Sequence, residues 1–357
     1  MNIQDLKIIK NSFVHELEKG SQGEKTSLPF INHSLASNSI IKQNQPFQTL
    51  VVGGSIYQKA IMKKVNGSIR ILKHEQGDQP PFLSKDDLMT FIEKHIDPEV
   101  SVVALNFAYP MKPINRDGLL DGTLQGGSKE NTFTGLVGEN VGEEIEKHIK
   151  NKQGRDIRVS TANDTICLLL SGLIHHEWDN LSAGIVGTGL NFAIFLNENT
   201  AVNLESANFN KFELTDAAKE IDKLSASPGD GVYEKEVSGA YLYRHFNFEA
   251  KKWGLNINEI QSTKELDSLI SNPNPEISGL AKEILNHSAQ MVAAQIAAIL
   301  EFSKRDLVFI MQGSLYWRGS NYKEIVERLV NELVPEYKAS YENVLHSDLF
   351  GAAKLVS

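Results

Sequence analysis

Cysteine is almost absent from this 357-residue chain: Cys167 stands alone, which excludes any intramolecular disulfide. Its place in the apolar run ICLLLSGLI marks a buried, reduced thiol and fits a cytoplasmic protein. Long apolar runs are also missing. Nothing approaches the ~20 apolar residues of a membrane span, and the opening MNIQDLKIIKNSFVHELEKG holds no apolar export region. It spaces Leu6, Ile9, Phe13 and Leu17 as an amphipathic helix does. Positive charge is short: 36 Lys and Arg face 45 Asp and Glu, for a net charge of −9. That excludes a broad basic surface for nucleic acid or anionic lipid and leaves room for a local pocket that takes a small anion. No short-period repeat or low-complexity tract occurs. With 41% hydrophobic and 23% charged residues the chain is ordinary globular material, long enough for two domains with separate cores.

Strand and helix signals alternate. FQTLVVGGS (47–55) and VSVVALNFAYP (100–110) read as buried strands, and KKVNGSIRILKH (63–74) as a hairpin turning at Asn66-Gly67. Ser84 caps a helix reaching about Ile96; residues 111–135 read as loop or hairpin, 141–151 as a surface helix and 157–162 as a third strand. Beyond Asp164 the pattern gives a helix over 165–177, one strand over 182–195 and another near 201–203. It continues with a helix over 234–246, a long Ala-rich helix over 277–304, a strand over 307–314 and a helix over 322–333. The alternation argues an α/β architecture with helix-covered sheets in two similar lobes.

Three strands end in small-residue turns: Gly53-Gly54-Ser55, Gly187-Thr188-Gly189 and Gln312-Gly313-Ser314. Small residues let backbone amides approach a phosphate, and the hydroxyls add donors, although one such turn alone is commonly only a tight connection. None fits the G-x-x-x-x-G-K-[ST] or G-x-G-x-x-G pattern. Asp164, in VSTANDTICLLLSG, suits a helix cap as well as a catalytic carboxylate. Lys129, Asn191, Glu205 and Glu234 are polar residues in otherwise apolar settings, each open to a plain surface or helix-start reading. His175-His176-Glu177 lacks metal-ligand spacing, and nothing beside Cys167 would activate it as a nucleophile.

Taken in order, the segments resemble the eukaryotic-type hexokinase (hexokinase/glucokinase) family, as a short divergent member. LVVGGSIYQ is similar to L-D-L-G-G-T-N-F-R, VALNFAYP to L-G-F-T-F-S-F-P, and STANDT to L-V-N-D-T. GIVGTGLNFAIF is similar to G-x-I-x-G-T-G-x-N-A and VNLESANF to V-N-x-E-W-G-A-F. SPGDGVYEKEVSGAYL is similar to P-G-x-Q-x-F-E-K-M-I-S-G-M-Y-L, and FIMQGSLYWRG to V-D-G-S-V-Y-x-x-H-P. GSKENTFTGLVGENV and SLPFI match further family segments in the same order.

The resemblance implies an actin-like ATPase (ribonuclease H-like) fold, two lobes with a central sugar and ATP cleft. It implies a small lobe over 46–162 joined by a C-terminal helix at 349–357, and a large lobe of 1–45 plus 163–348. The implied activity is ATP- and Mg2+-dependent phosphorylation of the 6-hydroxyl of a hexose such as glucose, at the entry to glycolysis, by a monomer or homodimer without nucleic-acid or membrane partners. Asp164 then corresponds to the catalytic base, and Lys129 supplies positive charge toward the phosphoryl group. Ser128, Asn163, Asn191, Glu205 and Glu234 hold the sugar. Gly53, Gly54, Ser55, Gly187, Thr188, Gly189, Gly313 and Ser314 meet the nucleotide. The chain departs from the pattern at Val51, Ile56 and Gln58, where the family has Asp, Asn and Arg, at Ala108 for Ser, and at Gln312 for Asp; SDLFGAAKL lacks the full D-G-S-G-K-G-A-A-L glycines. Those departures, mostly on the nucleotide side, frame the alternative of a weak or inactive hexokinase-like sugar sensor.

Overall fold

The computed structural model describes every residue except Ser37, Gly54, Ser128 and Lys129. Its contacts divide the chain into two units. The first comprises Met1–Phe30, Ser182–Phe192 and Leu204–Glu342, the second Ile31–Leu181, Ala193–Asn203 and Asn343–Ser357. Residues 31–45 and 163–181, which the sequence reading groups with the large lobe, thus cluster with the unit that contains 46–162 and the C-terminal helix.

The second unit is built on a five-stranded sheet. Strands β2 (Pro46–Val52), β3 (Ile56–Val65), β4 (Ser68–Asp78), β5 (Val102–Phe107) and β8 (Arg158–Ala162) lie in the order β4-β3-β2-β5-β8. The first three pair antiparallel, whereas β2, β5 and β8 run parallel. Asn66 and Gly67 both take positive φ, 51° and 82°, the backbone that a two-residue hairpin turn demands. Period-two alternation sends Leu50, Val52, Val103, Leu105, Phe107 and Val159 into a core with α2 (Lys85–His95) and α3 (Val141–Gln153). Against the sheet also pack α4 (Asp164–Ser171) and α12 (Ser347–Lys354), which touch each other so closely that a methyl at Gly351 would overlap the carbonyl of Cys167. A hairpin of β6 (Met111–Arg116) and β7 (Leu119–Leu124), and β1 (Ile31–Ser34) paired with β11 (Thr200–Asn203), complete the unit. Asp121 on β7 lends its carboxylate to the amides of Gly142 and Glu143 at 2.8 and 3.0 Å, taking up free donors of α3 that Asn140 leaves uncapped.

The first unit surrounds α9 (Pro275–Ser303), a helix started by the Asn274 cap and Pro275 and buried on nearly every side from Ser288 to Leu300. Helices α1 (Ile3–Ser21), α7 (Leu242–Lys252) and α11 (Tyr322–Leu333) pack on it. Helix α1 adds an ion pair from Lys10 to Glu301. Strands β9 (Leu181–Val186), β12 (Leu307–Gln312) and β13 (Ala339–Glu342) are adjacent in that order, with β12 and β13 parallel. Helices α5 (Asp216–Lys223), α6 (Val232–Val237), α8 (Thr263–Ser268) and the short α10 (Ser314–Arg318) fill the remainder.

Three expectations need correction. The single strand over 182–195 is two, β9 and β10 (Leu190–Asn197), because Gly187–Gly189 turns the chain. The helix over 234–246 is broken into α6 and α7: the amides of Gly239 and Ala240 bond to the carbonyls of Gly187 and Thr188 instead of continuing the helix. The helix over 165–177 leaves α geometry at Gly172 and ends in a single 3-10 turn, Gly172–Ile174.

Candidate active site

In the first unit, three of the polar residues singled out from sequence converge on the start of β10. Asn191 Oδ1 accepts from the amides of Phe192 and Ser206, at 2.8 and 3.2 Å, which draws the 205–206 turn against the strand. Glu205 there has φ 49°, a left-handed backbone that is strained for a residue with a side chain. Glu234, in the first turn of α6, accepts from the amide of Leu190 at 2.9 Å. Burial pushes the Glu234 carboxyl up, while the Leu190 amide and Lys235 hold it down, and the balance lies above the ordinary range. Two carboxylates and an amide, all half-buried, thus meet within a few residues of one strand. Such a set suits a ligand with several hydroxyls, each able to donate and accept.

Two of the three glycine turns also meet in this unit. A methyl at Gly187 would lie 3.2 Å from the Cα of Gly313, and Gly313 holds φ 115°, which L side chains rarely adopt. Thr188 and Ser314 border a cavity of about 610 Å³ that Gly239, Lys264 and Arg318 also line. Its two cations, set against the one carboxylate of Asp267, which is bonded to Ser320, together with the close-packed glycines suit an anionic ligand. Lys264 and Arg318 were not singled out from sequence; Arg318 stands within SLYWRG, the segment already set apart by its glycine turn.

The second unit carries the remaining candidates. Asn163, not Asp164, is the cap of α4: its Oδ1 accepts from the amide of Ile166 at 3.0 Å. Asp164 is the first residue of the helix, its Oδ1 accepting from the amide and hydroxyl of Thr165 at 2.8 and 3.3 Å. Burial raises its pKa against those hydrogen bonds, and the charge of Asp348 on α12 raises it further. A carboxylate so placed holds a proton more readily than one in water, which suits a proton acceptor. In the first glycine turn, Gly53 O accepts from Gln79 Nε2 and the Tyr109 hydroxyl at 2.6 and 2.5 Å, and Ser55 is exposed. Gly54, Ser128 and Lys129 lie outside the described residues. Cys167 is fully buried, and that burial pushes its thiol well up.

No known family profile matches the chain. In sequence it is similar to Hexokinase-7 of Oryza sativa subsp. japonica, 23% identical over 366 residues, which cover 81% of this chain and 79% of that protein. The similarity to Hexokinase-5 of the same plant is 26% over 272 residues, 66% of this chain and 53% of that one. Its structure is similar to that of a hexokinase from Schistosoma mansoni complexed with glucose, with a TM-score of 0.80 at 20% identity, over 100% of this chain and 95% of the other. The chain is a divergent relative of the hexokinases. Its fold is their actin-like ATPase fold, which extends to a ROK hexokinase from Thermus thermophilus at a TM-score of 0.61, 14% identity, 87% of this chain and 97% of that one. Among the described residues no helix is long and apolar enough to cross a membrane.

Proposed function

We propose that this hexokinase relative is an ATP-dependent sugar kinase that transfers the terminal phosphoryl group of ATP to the 6-hydroxyl of a hexose such as glucose. The observation that carries this reading is the convergence of Asn191, Glu205 and Glu234 on the start of β10. In the reaction, Asn191, Glu205 and Glu234, with Asn163 and Ser128, hold the sugar hydroxyls, so that an analogue lacking one leaves buried polar groups unpaired. Asp164 orients the 6-hydroxyl and takes its proton as the new P–O bond forms and the bond to the ADP oxygen breaks. Lys129 offsets charge on the transferring group. The cavity with Thr188, Ser314, Lys264 and Arg318 takes the nucleotide, to which Gly187, Gly189 and Gly313 give close backbone approach; the family resemblance assigns Gly53, Gly54 and Ser55 to the same ligand. Mg2+ bound with the nucleotide would neutralise phosphate charge. A cytoplasmic setting belongs to the same reading, given one buried thiol and no disulfide.

The test is a coupled assay with ATP, Mg2+ and a panel of hexoses, comparing wild type with Asp164→Ala. Phosphorylation by the wild type at least a hundredfold above the variant is expected; equal rates on every sugar would refute the kinase. A second reading, a sugar sensor without ATP chemistry, is favoured by one observation, the apolar Val51 at the family's aspartate position on β2. Calorimetry separates the two, since measurable MgATP affinity rules the sensor out.

A further inference from the structure

In the second unit, one face of the sheet carries polar groups that the roles above do not use. Pairing across β3, β2, β5 and β8 places Gln58, Val51, Asn106 and Ala162 in one row. Their sequence neighbours Leu50, Val52, Leu105 and Phe107 point into the core with α2 and α3, so the pleat turns the row to the opposite face. Helix α12 packs on β2, β3 and β5, and α4 packs on β5 and on α12.

Asn106 is 1% exposed there, and neither its amide oxygen nor its nitrogen has a hydrogen-bond partner. Leaving a buried amide unpaired costs about 1–3 kcal/mol, and native proteins reserve such groups for water, ions or function. At one end of the row Gln58 Nε2 donates to Asp348 Oδ2 at 3.4 Å, which holds the carboxylate of α12 over the sheet. At the other end Ala162 leads into Asp164 after one residue. Helices α4 and α12, which carry Asp164 and Asp348, pack on each other where Gly351 meets the Cys167 carbonyl, three residues along each helix from its carboxylate. Val51, between Gln58 and Asn106, supplies no carboxylate of its own.

We infer that Asp348 and Asp164 together seat a hydrated divalent cation, with the buried carboxamide of Asn106 bonded to its water shell from the sheet. This rests on the kinase reading and deepens it: Asp348 is the residue through which the chain holds Mg2+ without a carboxylate on β2. Mg2+ fits this donor set, since it keeps several waters and binds proteins through one or two carboxylates. Among the described residues no three His, Cys, Asp or Glu side chains gather as a metal site. Asn106 can donate to one water and accept from another, and Gln58 keeps Asp348 in place.

The experiment uses Mn2+ as probe on the full chain without nucleotide, followed by electron paramagnetic resonance and calorimetry. Wild type is expected to bind one ion, Asp348→Asn to bind at least tenfold more weakly, and the double variant V51D/D348N to recover binding because a carboxylate returns to the row. Hexose affinity, measured on the same samples, should stay within twofold and reports that each variant is folded. Equal Mn2+ affinity in wild type and Asp348→Asn, or no binding by wild type, overturns the inference even if the protein phosphorylates sugars. Conversely, an Asp348-dependent ion in a protein inactive on every hexose would sustain the cation site while the kinase reading fails.

Discussion

The Glu234 carboxylate holds the backbone amide of Leu190 at 2.9 Å, so the first turn of α6 fixes the residue that precedes Asn191. On the proposed function, one side chain thereby serves the sugar and also the strand that carries another sugar ligand. Glu234→Ala should remove both, raising KM for the hexose about 10- to 100-fold, while Glu234→Gln, which keeps an acceptor oxygen for Leu190, should raise it less. Steady-state kinetics over a range of hexose concentrations checks this, and a change in kcat with constant KM would place Glu234 elsewhere in the reaction.

Two residues further along α6, Glu236 shows how the chain departs from the family pattern without disturbing the fold. It is 1% exposed, where the motif quoted above has Met. Burial, the largest single influence, would raise its pKa, but the hydrogen bond with His287 at 2.7 Å, the charges of His287 and His245 and the Thr215 amide together outweigh it, and the carboxyl lies below its ordinary range. His287→Ala strips that support and should destabilise the protein by about 1–3 kcal/mol. Replacing both partners by apolar residues, Glu236→Met with His287→Leu, should recover to within about 1 kcal/mol of wild type, because no charge then stays buried. Urea unfolding of the three proteins at pH 7 measures the difference; a double variant as weak as the single one would show that the Glu236–His287 hydrogen bond is not the source.

The Asn66-Gly67 hairpin and the Ser84 cap of α2 were legible in the sequence, because turns and caps are set by neighbouring residues. The order of motifs pointed to the fold for a similar reason: several of them are strand ends whose small residues are required locally. What stayed hidden depends on distant pairing. Gly187-Thr188-Gly189 stands out as a small-residue turn, yet the apolar residues on both sides of it read as one strand over 182–195, and only the fold shows them to be two. Asn106 looked like an ordinary strand residue until its register with Val51 was known. Asp348 and Gln58 meet across 290 positions, which no spacing rule detects. Asp164 was ambiguous for another reason: Asn and Asp both favour helix starts, and only the hydrogen bond to Ile166 identifies Asn163 as the cap.

Helix α12 approaches α4 at Gly351, whose missing side chain is what lets the Cys167 carbonyl come so near. Gly351→Ala should force the helices apart, destabilise the protein by about 1–3 kcal/mol and carry Asp348 away from Asp164. Thermal unfolding reports the first effect. The second appears as Mn2+ affinity reduced at least fivefold at a temperature where the variant is folded, whereas unchanged affinity would mean that the spacing of the helices does not set the ion site.

Acid sensitivity should come in part from His33 on β1, which is 4% exposed, with Nδ1 3.0 Å from the carbonyl of Ile31. Burial lowers its pKa from 6.5 to about 4, only partly opposed by that carbonyl. The folded protein therefore keeps His33 neutral, while the unfolded chain takes up a proton once the pH falls below 6.5. Its contribution to stability is full above pH 6.5 and is lost as the pH falls toward 4, at up to about 1.4 kcal/mol per unit and roughly 3 kcal/mol in all. His33→Gln has no proton to gain, so its stability should fall less between pH 6.5 and pH 4.5 than that of wild type. Urea midpoints for the two proteins at half-unit steps give the comparison directly: curves that fall in parallel would mean that His33 is protonated in the folded state or reached by solvent, and that carboxylates elsewhere set the acid limit.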